Sequence, residues 1–370
     1  MRMRPETEEE LAEAIRGAAG PLAVRGGGTR AIAVAGEELS LAGMSGISLY
    51  EPGALTLVAG AGTPLAEVEA ALAAEGQRLA FEPMDHRGLM GTAGAPTLGA
   101  LFAANISGPR RIQAGAARDF LLGVRFVDGA GRMVKNGGRV MKNVTGYDLV
   151  KLMAGAHGTL GVLSEVALKV LPRPETEASL RVAVPDAGAA VRLMSQALGS
   201  PFDVTGAAYD PAVGAVLLRV EGFAASVAYR LGRLEALLVG AGENVRLEGE
   251  ASAAVWRGIR DVEAFHGRTG DVWRISCKPS EAPEVAARIE AEALLFDWGG
   301  GLIWALAAPG TDLRERAGRY DGHATLVRAE PETVERLGRF QPQPAPLAAL
   351  AAGLRAKFDP RGILNPRLMG

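Results

Sequence analysis

A run of three glycines and a threonine, Gly26-Gly27-Gly28-Thr29, directly follows the short apolar segment Pro21–Val24. The apolar segment predicts a buried strand, so the loop begins where a strand ends. Backbone N–H groups in such a loop can point into one concavity and bind a phosphate without a lysine, and the missing Cβ atoms let a diphosphate approach. A plain flexible turn is the alternative interpretation. The spacing matches neither the G-x-G-x-x-G of a Rossmann fold nor a P-loop, since no Lys-Ser/Thr pair follows.

Two longer glycine-rich blocks follow, one at residues 92–109 and one at residues 137–165. The first combines Thr92-Ala93-Gly94 with a predicted helix of small residues after Thr97. Short apolar segments interrupt the glycines throughout, which is typical of ordered backbone and not of a linker. The blocks therefore predict backbone that closely approaches a ligand.

In this order, the blocks resemble the FAD-binding domain of the vanillyl-alcohol oxidase and p-cresol methylhydroxylase (PCMH-type) superfamily. Within it the chain resembles the branch formed by the FAD-binding E subunits of bacterial glycolate oxidases. The resemblance spans about residues 1–175, and the segment from Phe358 to Pro366 matches the C-terminus of that branch. It implies an α+β fold, with a two-lobed PCMH-type FAD-binding domain and an α+β cap domain that has a mainly antiparallel sheet.

The resemblance also implies which residues hold FAD. They are Arg25, Gly26, Gly27, Gly28 and Thr29 at the pyrophosphate; Thr92, Gly94, Asn105, Ser107 and Gly108 along the flavin and its ribityl chain; Lys142, Thr145, Gly146 and Tyr147 near the isoalloxazine; Gly161 and Val162 at the adenine end; and Asn365 over the flavin. Some members attach FAD covalently to a His or Cys. Here Arg30 follows the loop and the only cysteine, Cys277, lies outside the FAD domain, so we expect non-covalent FAD.

Oxidation of a small 2-hydroxy acid requires a cation for the carboxylate, a base for the hydroxyl proton and a flavin to take the hydride. Arg274 and Arg328 are the candidates for the carboxylate, and His323 is the candidate base. The alternatives stay open: Arg274 can equally form ordinary surface or interface pairs, and His323 can be a histidine hydrogen-bonded within a sheet.

The stretch around His323 departs from the larger, catalytic members of this branch. Those members carry a metal-binding Gly-His-x-Gly-Asp-Gly-Asn-x-His stretch, and Gly322–Leu326 keeps only its first His. No catalytic metal is expected. Two alternatives therefore stand beside a flavin subunit that oxidises a 2-hydroxy acid or relays electrons to a partner. One is a stand-alone D-lactate-like dehydrogenase that uses FAD, and the other is a non-catalytic, structural flavin subunit.

The elements that position the glycine loops repeat a strand–turn–helix order. Thr7 and Glu10 form a capping box before a helix with Leu11 and Ile15 on one face. A strand at residues 55–59 precedes a second helix, which Thr63 is predicted to cap. Further along, residues 123–134 read as a hairpin around Asp128-Gly129, and residues 162–171 as a long strand.

Three parts of the chain are predicted. Residues 1–175 form the FAD domain, with lobes at about 1–55 and 56–175, and residues 176–340 form the cap domain. Residues 341–370 form a linker and a C-terminal segment that returns to the FAD domain. Within the cap, a strand–helix–strand–strand–helix–strand order occurs twice, which predicts two split βαβ units in one antiparallel sheet with helices on one face.

Composition limits the partners and the compartment. The net charge of −2 argues against nucleic acid, and one cysteine cannot build an iron–sulfur or zinc cluster. We find no signal peptide and no apolar run of the ~20 residues that span a bilayer. The expected partners are a small 2-hydroxy acid, a larger FAD subunit and an iron–sulfur subunit. We expect a cytoplasmic chain, with any association with the inner membrane made through partners and without direct insertion.

Overall fold

The computed structural model describes residues 2–139 and 146–369. Within them the strands are β1 (Arg2–Met3), β2 (Leu22–Arg25), β3 (Glu37–Ser40), β4 (Ile47–Glu51), β5 (Thr56–Gly60), β6 (Gln77–Arg78), β7 (Leu121–Val127), β8 (Met133–Gly137), β9 (Val162–Lys169), β10 (Leu171–Pro172), β11 (Thr176–Ala183), β12 (Val204–Asp210), β13 (Ala215–Gly222), β14 (Asn244–Glu248), β15 (Asp271–Cys277), β16 (Ala293–Asp297), β17 (Leu302–Ala307) and β18 (Gly322–Arg328). The helices are α1 (Glu8–Gly17), α2 (Leu65–Ala74), α3 (Arg87–Met90), α4 (Leu98–Ala103), α5 (Arg111–Ala114), α6 (Ala117–Phe120), α7 (Leu149–Met153), α8 (Ala187–Leu198), α9 (Ala224–Leu237), α10 (Gly249–Asp261), α11 (Ala282–Ile289), α12 (Leu313–Ala317), α13 (Pro331–Leu337) and α14 (Ala345–Phe358).

The chain divides into two compact units. The first unit comprises residues 1–107, 115–173 and 342–370, and the second comprises residues 108–114 and 174–341. The short segment 108–114 thus belongs to the second unit, although the residues on either side of it belong to the first.

The described residues of the first unit form two larger sheets and a two-stranded antiparallel pair of β6 and β10. In one, β1 and β2 both pair with β3 in parallel, and in the other β4, β5, β9, β7 and β8 are neighbours in an antiparallel sheet. The predicted capping box of α1 is confirmed in its first half, because the Thr7 hydroxyl accepts a hydrogen bond from the Glu10 N–H at 3.1 Å. The second half is wrong: the Glu10 carboxylate accepts from the Glu6 N–H at 2.8 Å and not from the N–H of Thr7. Leu11 and Ile15 are fully buried, as their helical spacing predicts. The hairpin of β7 and β8 is confirmed as well.

The predicted role of Thr63 as a helix cap is wrong. Helix α2 begins at Leu65, preceded by Pro64 as its cap residue. The Thr63 hydroxyl instead donates to the Gly60 carbonyl at 2.7 Å and accepts from the Gly46 N–H at 3.0 Å. Both partners belong to turns that precede the helix. Because the hydroxyl already bonds them, it does not accept from an N–H of the first helical turn.

The second unit contains one antiparallel sheet in the order β14-β11-β13-β12-β16-β17-β15-β18. One half of it comes from β11-α8-β12-β13-α9-β14 and the other from β15-α11-β16-β17-α12-β18. The halves meet where Tyr209 of β12 pairs with Phe296 of β16, and their rings lie 5.5 Å apart. The predicted duplication of a split βαβ unit is therefore confirmed.

Helix α10 is an exception to the prediction that the helices cover one face. Ala207 faces the core with α8, so its neighbour Gly206 faces the opposite side of the sheet. Trp256 of α10 occupies the space where Gly206 would carry a Cβ, and the Arg219 guanidinium lies 4.5 Å from the same ring. A single glycine in β12 thus admits a helix on the second face.

The C-terminal segment packs onto the first unit. Leu364 forms a parallel bridge with Leu22 of β2, and the Leu22 N–H donates to the Ile363 carbonyl at 2.8 Å. The buried Asn365 side chain accepts from the Val24 N–H and donates to the His157 carbonyl, both at 2.8 Å. The segment therefore extends the parallel sheet and ties the end of β2 to the loop before β9.

We expect the substitution Asn365→Gly to lower the free energy of unfolding of the flavin-free chain by about 2 kcal/mol, because it leaves two partly buried backbone groups without partners. Glycine accepts the backbone φ of 43° at this position, so strain does not contribute. Urea unfolding measures the change. Arg367→Gly is the matched control, since Arg367 also has a positive φ of 60° but is exposed. Equal effects of the two substitutions would contradict the assignment.

Candidate functional site

The Gly26–Gly28 loop lies against the segment before α4 with no room for side chains between them. A Cβ on Gly26 would overlap the Thr97 hydroxyl, and a Cβ on Gly27 would overlap the Ala95 carbonyl. Gly94 has a φ of +105°, and a Cβ there would overlap the Gly27 carbonyl. The glycines are therefore required by the close approach of two backbones, and the alternative of a plain flexible turn does not explain them.

Gly28 occupies the open side of this cradle. Its φ is +73°, and a Cβ at this position would meet nothing within 4 Å. The next residue is fixed, because the Thr29 carbonyl accepts a hydrogen bond from the Thr92 hydroxyl at 2.7 Å. Arg25, at the end of β2, places its Nε 3.6 Å from a carboxylate oxygen of Glu38. The loop thus leaves one face for a ligand, while its two ends are held by the protein.

A cavity in the first unit brings together residues from four separate stretches of the chain. Arg30 and His157 are its basic side chains, and glycine and apolar residues make up most of the remaining wall. The lining residues include the sequence-predicted Gly26, Gly161, Val162 and Asn365, together with Val24, Ile32, Val34, Leu41, Gly99, Ala100, Ala103, Gly158, Leu163 and Leu368.

His157 is fixed in the wall of this cavity in a left-handed conformation, with a φ of 52°. Its N–H donates to the Ala103 carbonyl at 2.8 Å. Burial, and secondarily the charge of Arg30, lower the pKa of the His157 ring to about 3. The imidazole is therefore neutral at physiological pH. The sequence analysis assigned His157 no role.

The Thr97 hydroxyl is buried against the cradle, and no hydrogen bond to it is recorded within the described ranges. Thr97 precedes α4 but its side chain does not cap that helix. A buried hydroxyl without a partner is costly, and a phosphate oxygen bound beside Gly26 would satisfy it. The cradle and this hydroxyl fit the diphosphate of a dinucleotide.

Other predicted flavin contacts hold the loop after α4. The Asn105 side-chain oxygen accepts from the Arg118 N–H, and the Ser107 hydroxyl accepts from the Ala117 N–H, both at 2.9 Å. The carbonyl of Gly108, in the second unit, accepts from the Trp298 indole N–H at 3.0 Å. These residues order the backbone, and their contact with a flavin stays a prediction.

The predicted isoalloxazine block is only partly visible. Lys142 and Thr145 lie outside the described residues. Gly146 has a φ of +80°, and Tyr147 is 88% exposed.

In the second unit, two arginines pack on one indole. The guanidinium carbon of Arg111 lies 4.4 Å from the centre of the Trp298 ring, and that of Arg274 lies 4.9 Å from it. His323 pairs with Ser276 on the strand that carries Arg274, two positions along, so both side chains lie on the same face. The structure thus brings Arg274 and His323 together and adds Arg111, which sequence reasoning missed.

The charges of this cluster affect one another. Burial, and secondarily the nearby charge of Arg111, lower the pKa of Arg274 to about 10, while Asp297 opposes the shift. Arg274 therefore stays positive at neutral pH. The pKa of His323 is also lowered, first by burial and then by the two arginines. Within the described ranges, no hydrogen bond or ion pair to a carboxylate is recorded for Arg274, which leaves its charge for an anionic ligand.

Arg328, the other arginine candidate, does not join this cluster. It pairs with Val272 near the opposite end of β15. Its guanidinium donates to the backbone carbonyls of Phe265 at 3.3 Å and Arg268 at 2.7 Å. The side chain therefore stabilises a loop. This role was not predictable from the sequence, because the carbonyls it contacts lie about 60 residues earlier in the chain.

Neither a membrane span nor a metal centre is found in the part of the chain that the structure describes. None of the helices there is long and apolar enough to cross a membrane. No group of three or more His, Cys, Asp or Glu side chains is placed to hold a metal ion in the same residues.

Comparison with known folds and families agrees with a dinucleotide cradle in the first unit. Residues 1–137 match the FAD-binding domain family. The solved structure of an alkyldihydroxyacetonephosphate synthase superposes with a TM-score of 0.70 at 16% identity, covering 98% of this chain and 76% of that one. The predicted PCMH-type α+β fold is therefore confirmed, and the chain binds FAD.

We expect Thr97→Val to weaken FAD binding about 10- to 100-fold, because the diphosphate loses one charge-assisted hydrogen bond. The same change should leave the flavin-free chain as stable or more stable, since it removes a buried hydroxyl without a partner. Flavin fluorescence titration and thermal unfolding measure the two effects. Thr97→Ser is the control that keeps the hydroxyl and the affinity. An unchanged dissociation constant in Thr97→Val would show that the hydroxyl does not face the cofactor.

Below a pH of about 6.5, the flavin-free chain should lose stability through His157. The unfolded chain takes up a proton there, whereas the folded ring stays neutral until about pH 3, so stability falls as pH falls through this window. His157→Asn removes this contribution, and asparagine tolerates the positive φ. Melting temperatures from pH 7 to pH 4 should therefore fall more steeply for the wild type. Parallel curves would contradict a neutral, buried His157.

The sequence is similar to two subunits of glycolate oxidases. It is 37% identical over 354 residues to the glycolate oxidase subunit GlcE of Escherichia coli K12, which covers 94% of this chain and 92% of that protein. It is also 34% identical over 104 residues to the glycolate oxidase subunit GlcD of Bacillus subtilis 168, covering 28% of this chain and 22% of that protein. The chain therefore belongs to the family of the glycolate oxidase subunit GlcE.

Proposed function

We propose that this chain is a flavin subunit of a 2-hydroxy-acid oxidase or dehydrogenase complex. The proposed substrates are small 2-hydroxy acids such as glycolate. The similarity to GlcE along nearly the whole chain supports this proposal. The observation that carries the substrate assignment is the Arg274 guanidinium, which stacks on Trp298 beside Arg111 without a recorded carboxylate partner in the described ranges.

A guanidinium of this kind binds a carboxylate through two parallel hydrogen bonds. The indole supports the cation from one side and leaves its N–H groups for a ligand. Arg111 adds positive potential but shares the ring, so we assign it a supporting role and assign the carboxylate to Arg274.

His323 has the properties of the base. Because its pKa is lowered, the ring is neutral at pH 7 and can accept the proton of the substrate hydroxyl. When FAD is bound, it supplies the acceptor for the hydride that leaves the α-carbon. The proton goes to His323 as the C–O bond becomes a carbonyl, so the product is a 2-oxo acid.

We propose that FAD is held non-covalently. Arg30, which cannot form a flavin bond, follows the cradle, and Cys277 is buried in the core of the second unit. The pKa of the Cys277 thiol is raised to about 11 by burial, so it is not a nucleophile at neutral pH.

The proposed partners are a larger FAD subunit and an iron–sulfur subunit. This chain has one cysteine and cannot carry a cysteine-ligated cluster, so an iron–sulfur cluster that takes electrons from its flavin has to lie in another protein. We place the chain in the cytoplasm, with any inner-membrane association made through these partners. Fractionation of cells with and without the partners checks this location.

A flavin subunit without its own turnover is the second candidate. It is favoured by the stretch Gly322–Leu326, which lacks the second His and the Asp and Asn of the metal-binding motif described above. Such a subunit would stabilise the complex or relay electrons. A stand-alone D-2-hydroxy-acid dehydrogenase is the remaining alternative.

Anaerobic reduction of the purified, FAD-loaded chain separates these candidates. We expect glycolate or D-lactate to bleach the visible flavin band, and acid precipitation of the same sample to release the flavin. Bleaching shows that the chain carries its own substrate site. Flavin that stays oxidised supports the subunit without turnover, and flavin that stays in the pellet contradicts non-covalent binding.

Arg274→Met should raise the substrate concentration needed for half-maximal flavin reduction on the order of 10- to 100-fold, because a charge-assisted carboxylate contact is lost. Arg328→Met should have a much smaller effect, since the Arg328 guanidinium contacts backbone carbonyls of a loop. Retained FAD binding shows that each variant is folded. Larger loss in Arg328→Met than in Arg274→Met would reverse the assignment.

A further inference from the structure

Helix α14 is a 14-residue helix that buries none of its residues. Leu347, Leu350 and Leu354 lie at helical spacing on one side of it and are 52%, 66% and 40% exposed. A helix of this length is marginal in water unless packing supports it. The apolar side of α14 therefore needs a covering surface.

A groove of about 560 Å³ runs beside this helix within the first unit. Ala351 and Leu354 form one wall, and Leu152, Ala156 and Leu160 contribute apolar surface opposite. The leucine stripe thus continues into a concave, apolar surface that side chains of another protein can fill.

The groove is lined by three cationic residues, Arg118, Lys151 and Arg355, and by one carboxylate, Asp148, so it is basic on balance. Two of these cations are held by backbone carbonyls. The Arg118 guanidinium donates to the Lys151 carbonyl at 3.2 Å, and the Lys151 ammonium donates to the Leu121 carbonyl at 3.3 Å. Residues 345–370 contain four cationic residues and one acidic residue, for a net charge of +3. Because the whole chain has a net charge of −2, the rest of it carries −5. The positive charge is concentrated at this end of the chain.

We propose that the apolar side of α14 and the adjoining groove form the docking surface for another subunit of the oxidase, which presents an apolar ridge flanked by carboxylates. This inference rests on the proposed function, since it requires a complex. Acidic flanks would meet Arg118, Lys151 and Lys357, and the apolar ridge would cover the leucines.

A second copy of this chain is a poorer occupant. Helix α14 contains no acidic residue, and its cations are Arg355 and Lys357 in the last turn. Two α14 helices packed together would bury their leucines but provide no carboxylate from either helix for these cations. A membrane surface is also a poorer occupant, because surface-lying helices carry Lys and Arg along their whole polar face.

The test uses the full chain, tagged at its N-terminus and co-expressed with the larger flavin subunit and the iron–sulfur subunit of its own source. We expect a stable complex with the wild type and a dissociation constant raised on the order of 30-fold or more by Leu350→Glu, as for a central interface residue. Lys357→Glu should weaken binding and reduce its dependence on salt. Val239→Glu is the matched control at an apolar residue that is 81% exposed in the second unit, and it should bind like the wild type.

Each other outcome overturns the docking surface. Leu350→Glu with wild-type affinity removes this helix from the interface. Light scattering that shows a wild-type dimer, lost in Leu350→Glu, assigns the surface to a second copy. Sedimentation with phosphatidylcholine–phosphatidylglycerol vesicles, lost in the same variant, assigns it to a membrane. If the wild type forms no complex but glycolate still bleaches its flavin, the docking surface fails while the proposed oxidation stands.

Discussion

Two stretches of backbone in the first unit approach each other without space for side-chain atoms, and the proposed cofactor site depends on this constraint. The glycines at positions 26, 27 and 94 permit the approach, and it buries the Thr97 hydroxyl facing the loop. The glycine loop can keep this geometry only if strand β2, which directly precedes it, is fixed in position. The C-terminal segment provides this restraint, because Asn365 bonds the end of β2 and the loop before β9 simultaneously. A residue near the end of the chain therefore supports a loop near its beginning.

Two neighbouring arginines in the second unit contact different side chains. Arg110 is neutralised by Glu221 through two hydrogen bonds of 2.7 Å in a buried pair. Arg111, the next residue, stacks on Trp298 together with Arg274. The buried ion pair fixes the segment 108–114 in the second unit, because breaking such a pair would leave a charge without a partner. Its rigidity in turn positions Arg111.

Much of the secondary structure could be predicted from local pattern. The buried face of α1, the hairpin of β7 and β8, and the doubled order of strands and helices in the second unit all follow from spacing. The errors arose where a distant group competed with a local one. Thr63 bonds Gly46 in place of capping α2, and α10 occupies the second sheet face because Gly206 leaves space for Trp256. Gly46 and Trp256 are distant in the sequence from Thr63 and Gly206, although the Thr63 hydroxyl also donates to the nearby Gly60 carbonyl.

The sequence by itself determined the family, the glycine loops and the alternation of strands and helices, because these depend on residues a few positions apart and on their backbone preferences. Only the tertiary structure decided which candidates meet. Arg274 and His323 share one sheet face because β15 and β18 pair in a particular register, and Arg328 is held elsewhere by loop carbonyls. Arg111 lies beside Arg274 because the segment 108–114, far from Arg274 in the sequence, belongs to the second unit. Register and long-range packing come from summed burial over many residues, so no local motif can encode them.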